Sequence, residues 1–341
     1  MLLKTSNLII LILVAVLVIF GVYYFTNNGA QEGVPDQAAE DVLRVAMVTD
    51  VGGLGDQSFN DAAYRGLQRA EAEFNAEIAV IESSAMTDYV ENLSSLAEQG
   101  YDMVWAIGFL MTDALAEVSE QYPDTTFGLI DAVVESSNVA SITFKEEEGS
   151  YLVGAIAALE SKNDKVGFIG GMEMPLIKKF EAGFLAGVKR IKPDAEIVVG
   201  YTGAFDDPGA GKELALTQYN QGADVIYHAS GACGIGVIKA AAEKGLYAIG
   251  VDSPQAHLAP YWVLTSMVKR VDNAVFYEVE ALSKGSFKAA HKVYGLAEDG
   301  VGYSDQALAK VHPDLMKQVN QLKQQIIDGD IKVPTTPEDV Q

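Results

Sequence analysis

The chain has 341 residues, 49% of them hydrophobic, with 47 acidic against 24 basic side chains and a formal net charge of −23. That length holds one large or two medium α/β domains, and so acidic a surface repels phosphate backbones, which disfavours a nucleic-acid partner. A lone cysteine, Cys233, excludes a disulfide framework or a Cys-based metal site within the chain, and the histidines at 228, 257, 291 and 312 lack HExxH or HxH spacing; no metal or other cofactor is expected.

Leu8 to Phe25, LIILILVAVLVIFGVYYF, is 18 uncharged residues behind Lys4. The run is long enough to cross a bilayer, with Tyr23, Tyr24 and Phe25 at an interface. An uncleaved membrane anchor is the reading preferred here, and a cleaved signal is the alternative. Against cleavage stand the length of the run and the want of a good small-x-small site in the flank TNNGAQEGVPDQAAED. Lys4 before the run and an acidic flank after it orient the bulk of the chain outside the cytoplasm. Residues 26–42 read as a flexible stalk.

From residue 43 onward, apolar β-type runs alternate with helical patterns. LRVAMVT (43–49), EIAVI (77–81), DMVWAIG (102–108), TTFGLID (125–131) and NVASITF (138–144) predict buried parallel strands, with helices around 58–75, 87–99 and 111–121. A second series runs through KVGFIGG (165–171), EIVVGYTG (196–203), ADVIYHAS (223–230) and YAIGVD (247–252), with helices near 175–190, 210–221 and 233–244. Two series of about five strands imply two doubly wound lobes. A single (β/α)₈ ring fits ten or eleven strand-like runs less well. KEEEGSYLVGAIAALES (145–161) is a helix falling where the chain passes between lobes. A helix over 267–285, a strand at KVYGL (292–296) and a polar helix over about 305–328 complete the pattern.

In open parallel sheets, ligands bind outside the carboxyl ends of the strands. Residues with chemistry gather at such ends: Asp50, Phe59 and Asn60 after the first strand, Asp131 after TTFGLID, Phe205 and Asp206 after EIVVGYTG. Gly231 and Gly234 follow ADVIYHAS, Asp252 ends YAIGVD, and Lys269 follows WVLTSMV. The stretch TDVGGLGDQSFNDAAYRGL (49–67) carries neither GxxxxGK[ST] nor GxGxxG, and its aspartates would repel a pyrophosphate. Asp50, Asp131 and Asp252 could serve acid–base chemistry, but no nucleophile–base pairing accompanies them, so an enzyme is not expected. Phe59 and Phe205, at strand ends of different lobes, could close on both faces of a flat ring, with carboxylates and a lysine for hydroxyl and ring N–H groups. From spacing alone an aromatic at a helix start such as Phe59 is more often a core staple, and Asp56 stays open to a turn or cap role and Lys269 to pairing with Asp252.

VTDVGGLGDQSFNDAAYRGL, YDMVWAIGFLMTDAL, FKEEEGSYLVGAIAA, FIGGMEMPLIKKFEAGFLAGVK, GYTGAFDDPGAGKE, IGVDSPQ and VLTSMVKRVDNAV come in one order over 43–300. Together they resemble the basic membrane protein family of nucleoside-binding lipoproteins. The resemblance implies a type I periplasmic-binding-protein fold: two α/β lobes, three crossovers and a ligand cleft between them. It implies capture of purine nucleosides, guanosine, inosine or adenosine, for the permease of an ABC importer. By resemblance Phe59 and Phe205 sandwich the purine, Asp50 and Asn60 read the base edge, and Asp131, Asp252 and Lys269 surround the ribose. Gly231 and Gly234 would let backbone approach the ligand.

One departure stands out: no cysteine precedes position 233, so the lipidated cysteine of the relatives is absent and residues 8–25 would take over anchoring. The first lobe is expected over 43–146 plus about 267–290, and the second over 147–266 plus about 291–330. The expectation is a monomeric, membrane-tethered, extracytoplasmic binding protein. A ligand sensor without transport is the alternative, and a nucleoside-cleaving enzyme a more distant one.

Overall fold

The computed structural model describes residues 42–305 and 313–340. The apolar run at 8–25 and the stalk up to residue 41 lie outside the described residues. Among the described residues no helix is long and apolar enough to cross a membrane.

Among the described residues twelve strands form two six-stranded sheets. The first contains β1 (Arg44–Thr49), β2 (Glu77–Glu82), β3 (Met103–Ile107), β4 (Thr126–Ile130), β5 (Val139–Phe144) and β11 (His291–Tyr294), in the order β2-β1-β3-β4-β5-β11, every pairing parallel. The second contains β6 (Lys165–Gly170), β7 (Glu196–Tyr201), β8 (Val225–Ala229), β9 (Tyr247–Asp252), β10 (Val263–Lys269) and β12 (Val301–Tyr303), in the order β7-β6-β8-β9-β10-β12. Only β12 runs antiparallel to its neighbour in that sheet. Central strands such as β3 and β8 are buried at every position, as parallel strands covered by helices on both faces must be.

The helices are α1 (Phe59–Phe74), α2 (Tyr89–Glu98), α3 (Thr112–Gln121), α4 (Glu146–Glu160), α5 (Pro175–Ile191), α6 (Pro208–Asn220), α7 (Cys233–Lys244), α8 (Val271–Ser283) and α9 (Pro313–Ile327). The chain changes sheet three times: from β5 into α4, from β10 into α8, and from β11 into β12. Helix α8 returns to pack on α1, and α9 lies on α4. Helix α4 is buried along most of its length, which its low-polarity stretch SYLVGAIAA allows. It crosses α5 at backbone distance: a Cβ at Gly154 would stand 2.3 Å from Phe184 O, and one at Gly187 2.0 Å from Tyr151 O.

Three boundaries differ from those expected. Residues 291–294 belong to the first sheet, not the second lobe. The outer edge of β5 is open there, and the KVY run fills it in register, Ser141 with His291 through Phe144 with Tyr294. The late helix begins at Val271, because Met267, Val268 and Lys269 are committed to ladders with β9 or β12. The three-residue β12 was not foreseen; a segment that short carries no period of its own.

In both sheets the order reverses beside the first strand of its series, between β1 and β3 and between β6 and β8. At such switch points the loops leave the carboxyl ends in opposite directions and open a crevice. The two crevices face one another.

Candidate functional site

A cavity with about 530 Å³ of empty space lies between the lobes. Asp50, Phe59, Asn60, Phe109 and Asp131 line it from the first lobe, and Phe180, Phe205, Ser230, Gly231, Asp252 and Lys269 from the second.

The first lobe's contribution is organised by Asp56, which accepts backbone N–H bonds from Ser58 at 2.8 Å, Asn60 at 2.8 Å and Asp61 at 3.2 Å. It thus satisfies the orphan donors of α1. Burial pushes its carboxyl up to about 7 against these three bonds. Asp50 accepts from Asn60 Nδ2 and from Gly52 N–H, each at 2.9 Å. Burial raises its carboxyl to about 6, the two hydrogen bonds oppose the shift, and Asp131 and Asp206 add to it. Because Asn60 spends its amide N–H on Asp50, its Oδ1 is left with no donor among the described residues. The wall here offers acceptors.

The floor is an ion cluster spanning both lobes. Lys269, at the end of β10, places Nζ 2.5 Å from Asp131 Oδ2 at the end of β4 and 3.8 Å from Glu146 Oε1 at the start of α4. Its Nζ also stands 4.8 Å from the ring centroid of Phe59 and 5.4 Å from that of Phe180. Burial alone would depress this ammonium, but Asp131, Asp252 and Glu146 outweigh burial and hold it above its ordinary value. The lysine therefore pairs with Asp131 rather than with Asp252. Asp252 instead accepts from Ser58 Oγ at 2.6 Å. Burial raises its carboxyl, and Lys269 and Ser58 work against the rise. Both Asp131 (φ 73°) and Asp252 (φ 59°) sit in left-handed backbone, an arrangement that ends their strands abruptly beside the cavity.

The expected ring-binding residues, Phe59 and Phe205, reach the cavity from opposite lobes. A third ring, Phe109, lies edge-on to Phe205, centroids 6.4 Å apart at 83°. Sequence reasoning missed Phe109, although it follows β3 at the switch point, where the strand-end rule applied to its neighbours. It also missed Glu146, fully buried with both oxygens lacking a hydrogen-bond donor among the described residues. Three consecutive glutamates do not show which one faces inward.

Gly231 lines the cavity with φ 56°, and a Cβ there would meet Phe205 O at 3.0 Å. Gly234 does not line it. A Cβ at Gly234 would stand 1.9 Å from His228 Cε1, so this glycine makes room for a buried imidazole, not for a ligand. Among the described residues no group of His, Cys, Asp or Glu is placed to hold a metal ion.

The comparisons with known proteins agree with this geometry. The family model of PnrA-like ABC transporter substrate-binding proteins matches residues 43–337. The chain is 37% identical to the CD4+ T-cell-stimulating antigen of Listeria innocua, covering 98% of this chain and 99% of that one. It is 35% identical to the ABC transporter nucleoside-binding protein BmpA of Lactococcus lactis, covering 86% and 89%. Basic membrane protein A of Borreliella burgdorferi is likewise 35% identical, covering 87% and 89%. Among solved structures, a solute-binding protein of an ABC transporter system from Aeropyrum pernix superposes with a TM-score of 0.78 at 33% identity, covering 86% of this chain and 93% of that one. The fold is thus the two-lobed α/β architecture of ABC solute-binding proteins, and the chain belongs to the PnrA-like family of ABC transporter substrate-binding proteins.

Proposed function

We propose that this protein captures purine nucleosides outside the cytoplasm and presents them to the permease of an ABC importer. The observation that carries the reading is the pair Phe59 and Phe205, one from each lobe, on the walls of a cavity whose polar groups are mostly acceptors. Stacked rings bury the two faces of a flat base. Asp50 and Asn60 Oδ1 suit ring N–H groups, and Asp131 and Asp252 suit ribose hydroxyls. One lysine among Asp50, Asp131 and Asp252 leaves the site unfavourable to phosphate, which points to nucleosides over nucleotides. The name of the Lactococcus lactis relative supports the same ligand class.

Mechanism is closure without chemistry. The lobes shut by hinge motion of the three crossovers, and the closed form is what the permease engages. Residues 8–25 tether the protein to the membrane, with no lipidated cysteine required, and it works as a monomer.

Calorimetry with guanosine, inosine, adenosine, cytidine and ribose tests the assignment. Purine nucleosides are expected to bind well, their 2′-deoxy forms less well, and ribose poorly. A hydroxyl missing opposite a buried carboxylate forfeits about 1–3 kcal/mol. Tight binding of ribose, with no nucleoside bound, would overturn the assignment.

A further inference from the structure

The lobes also meet at a second set of groups beside the cavity, and its meaning rests on the closing-cleft reading above. The turn Asp56–Ser58 of the first lobe faces residues 251–255 of the second. Ser58 Oγ donates to Asp252 Oδ2 at 2.6 Å, Ser253 Oγ donates to Ser58 O at 2.9 Å, and Gln255 Nε2 donates to Gln57 O at 3.1 Å. Asp252 lines the cavity; Ser253 and Gln255 do not.

The first lobe's half is preset. Gln57 is a non-glycine residue at φ 55°, and its N–H donates to Asp61 Oδ2 at 3.0 Å. The next N–H, of Ser58, donates to Asp56 Oδ1 at 2.8 Å. With both amides tied inward, the Gln57 carbonyl faces the other lobe, and the Ser58 carbonyl, which takes Ala62 N–H at 3.1 Å as the first bond of α1, keeps a second lone pair for it. Asp56 has also taken over the capping of α1, so the Ser58 hydroxyl makes no bond to its own helix.

The second lobe's half is equally built. Gln255 is fully buried, and its amide has one orientation. Val251 N–H can only donate, so the Gln255 atom 3.0 Å from it is Oε1, which turns Nε2 to Gln57 O. His228 Nε2 lies 2.9 Å from the same Oε1 and must carry the imidazole proton. Nδ1 is then the acceptor, 3.4 Å from the hydroxyl of Ser230 on the cavity wall. Two glycines make space for the pair: Gly234 beneath His228, and Gly250, where a Cβ would stand 2.4 Å from Gln255 Oε1.

We propose that Ser253 and Gln255 are positioning residues of an interlobe latch, which grips the backbone of Gln57 and Ser58 in the closed state and sets the release rate of a ligand it does not touch. On opening, Gln255 keeps its bonds to Val251 and His228, which lie within its own lobe, and loses only the bond to Gln57. Ser253 loses two bonds, the one it donates to Ser58 O and the one it accepts from Arg65 of α1 at 2.7 Å. The latch therefore acts on dissociation more than on encounter.

The test uses the full chain, with stopped-flow binding of inosine by Ser253→Ala and Gln255→Glu. The glutamate still accepts from Val251 and His228 but, ionised, has no proton for Gln57 O. Gln255→Glu is expected to raise koff about fivefold with kon unchanged, the usual loss for one hydrogen bond, and Ser253→Ala, which removes two interlobe bonds, to raise it further. Unchanged koff in both, or a fall confined to kon, would overturn the latch. If the unaltered chain binds no purine nucleoside, the ligand assignment fails alone, and the latch is read from interlobe distance. Spin labels at exposed Met86 and Val199, one on each lobe, report it, with Cys233 buried and unlabelled. The double variant should populate longer distances than the parent chain, and superimposable distributions would dismiss the idea.

Discussion

Lys269 and Asp131 come from different sheets and meet across the cleft at 2.5 Å, each almost wholly buried. The pair ties the ends of β10 and β4 beneath the cavity. Among the described residues its lysine is also the one cation facing Asp252 and Glu146 together.

Removing that cation should be costly. In Lys269→Met the buried Asp131 carboxylate loses its counter-charge, and breaking one half of a buried pair typically destabilises by about 3–5 kcal/mol. Urea denaturation at pH 7 is expected to show a loss of that order. Asp131→Asn combined with Lys269→Met should lose less than the sum of the two single changes, because the second removes a charge the first stranded. Strict additivity would mean that the two side chains do not support one another.

Phe205→Ala addresses recognition rather than folding. The ring is only partly buried, against Phe109 and the Gly171 backbone, so the ligand-free chain should unfold at nearly the parent's temperature. Stacking on an aromatic side chain is worth about 1–3 kcal/mol per base, so purine nucleoside affinity should drop roughly 5- to 150-fold in calorimetry. Unchanged affinity would take Phe205 out of the stacking role.

The parallel strands and their helices were legible because burial on both faces writes long apolar runs, and the cavity lay where strand-end reasoning pointed. Asp50, Phe59, Asn60, Asp131, Phe205, Gly231, Asp252 and Lys269 all reach it. What escaped was information carried by partners distant in sequence. The assignment of 291–294 depended on which sheet had an open edge, and Lys269 chose Asp131 over Asp252 through the relative placement of two lobes. Ser58 stands just before α1 with Asp61 three residues on, an apparent capping box. Asp56 caps instead, and the serine hydroxyl goes to Asp252.

Gly234 gives a test that separates packing from ligand contact. A methyl group there has to displace the buried His228 ring, and overpacking of this kind costs about 1–3 kcal/mol. Gly234→Ala should lower the ligand-free melting temperature. In the double variant Gly234→Ala, His228→Ala the added methyl has space, and part of the loss should return. If Gly234→Ala weakened binding while leaving stability untouched, the glycine would belong to the cavity wall after all.

Glu146 supplies a pH-dependent signature whose sign follows from its surroundings. Burial raises its carboxyl from 4.5 to about 8; Lys269 and Lys179 oppose the shift, and Asp131 adds to it. Between those values the folded chain holds a proton that the unfolded chain releases. The stability linked to that proton is fully present below about pH 4.5 and is lost as pH rises through about 8. Glu146→Gln replaces the protonated acid by a neutral amide of similar shape. The variant should match the parent near pH 5, relative to their common acid behaviour, and lose less stability than the parent as pH rises from about 5 to 9. The other raised carboxyls, among them Asp50, Asp56 and Asp252, titrate in both proteins and cancel in the difference. Urea midpoints across this range provide the measurement, with a limiting slope of about 1.4 kcal/mol per pH unit for one proton. Parallel curves for the two proteins would mean that Glu146 carries no proton in the fold, and that Lys269 and Lys179 together hold it ionised.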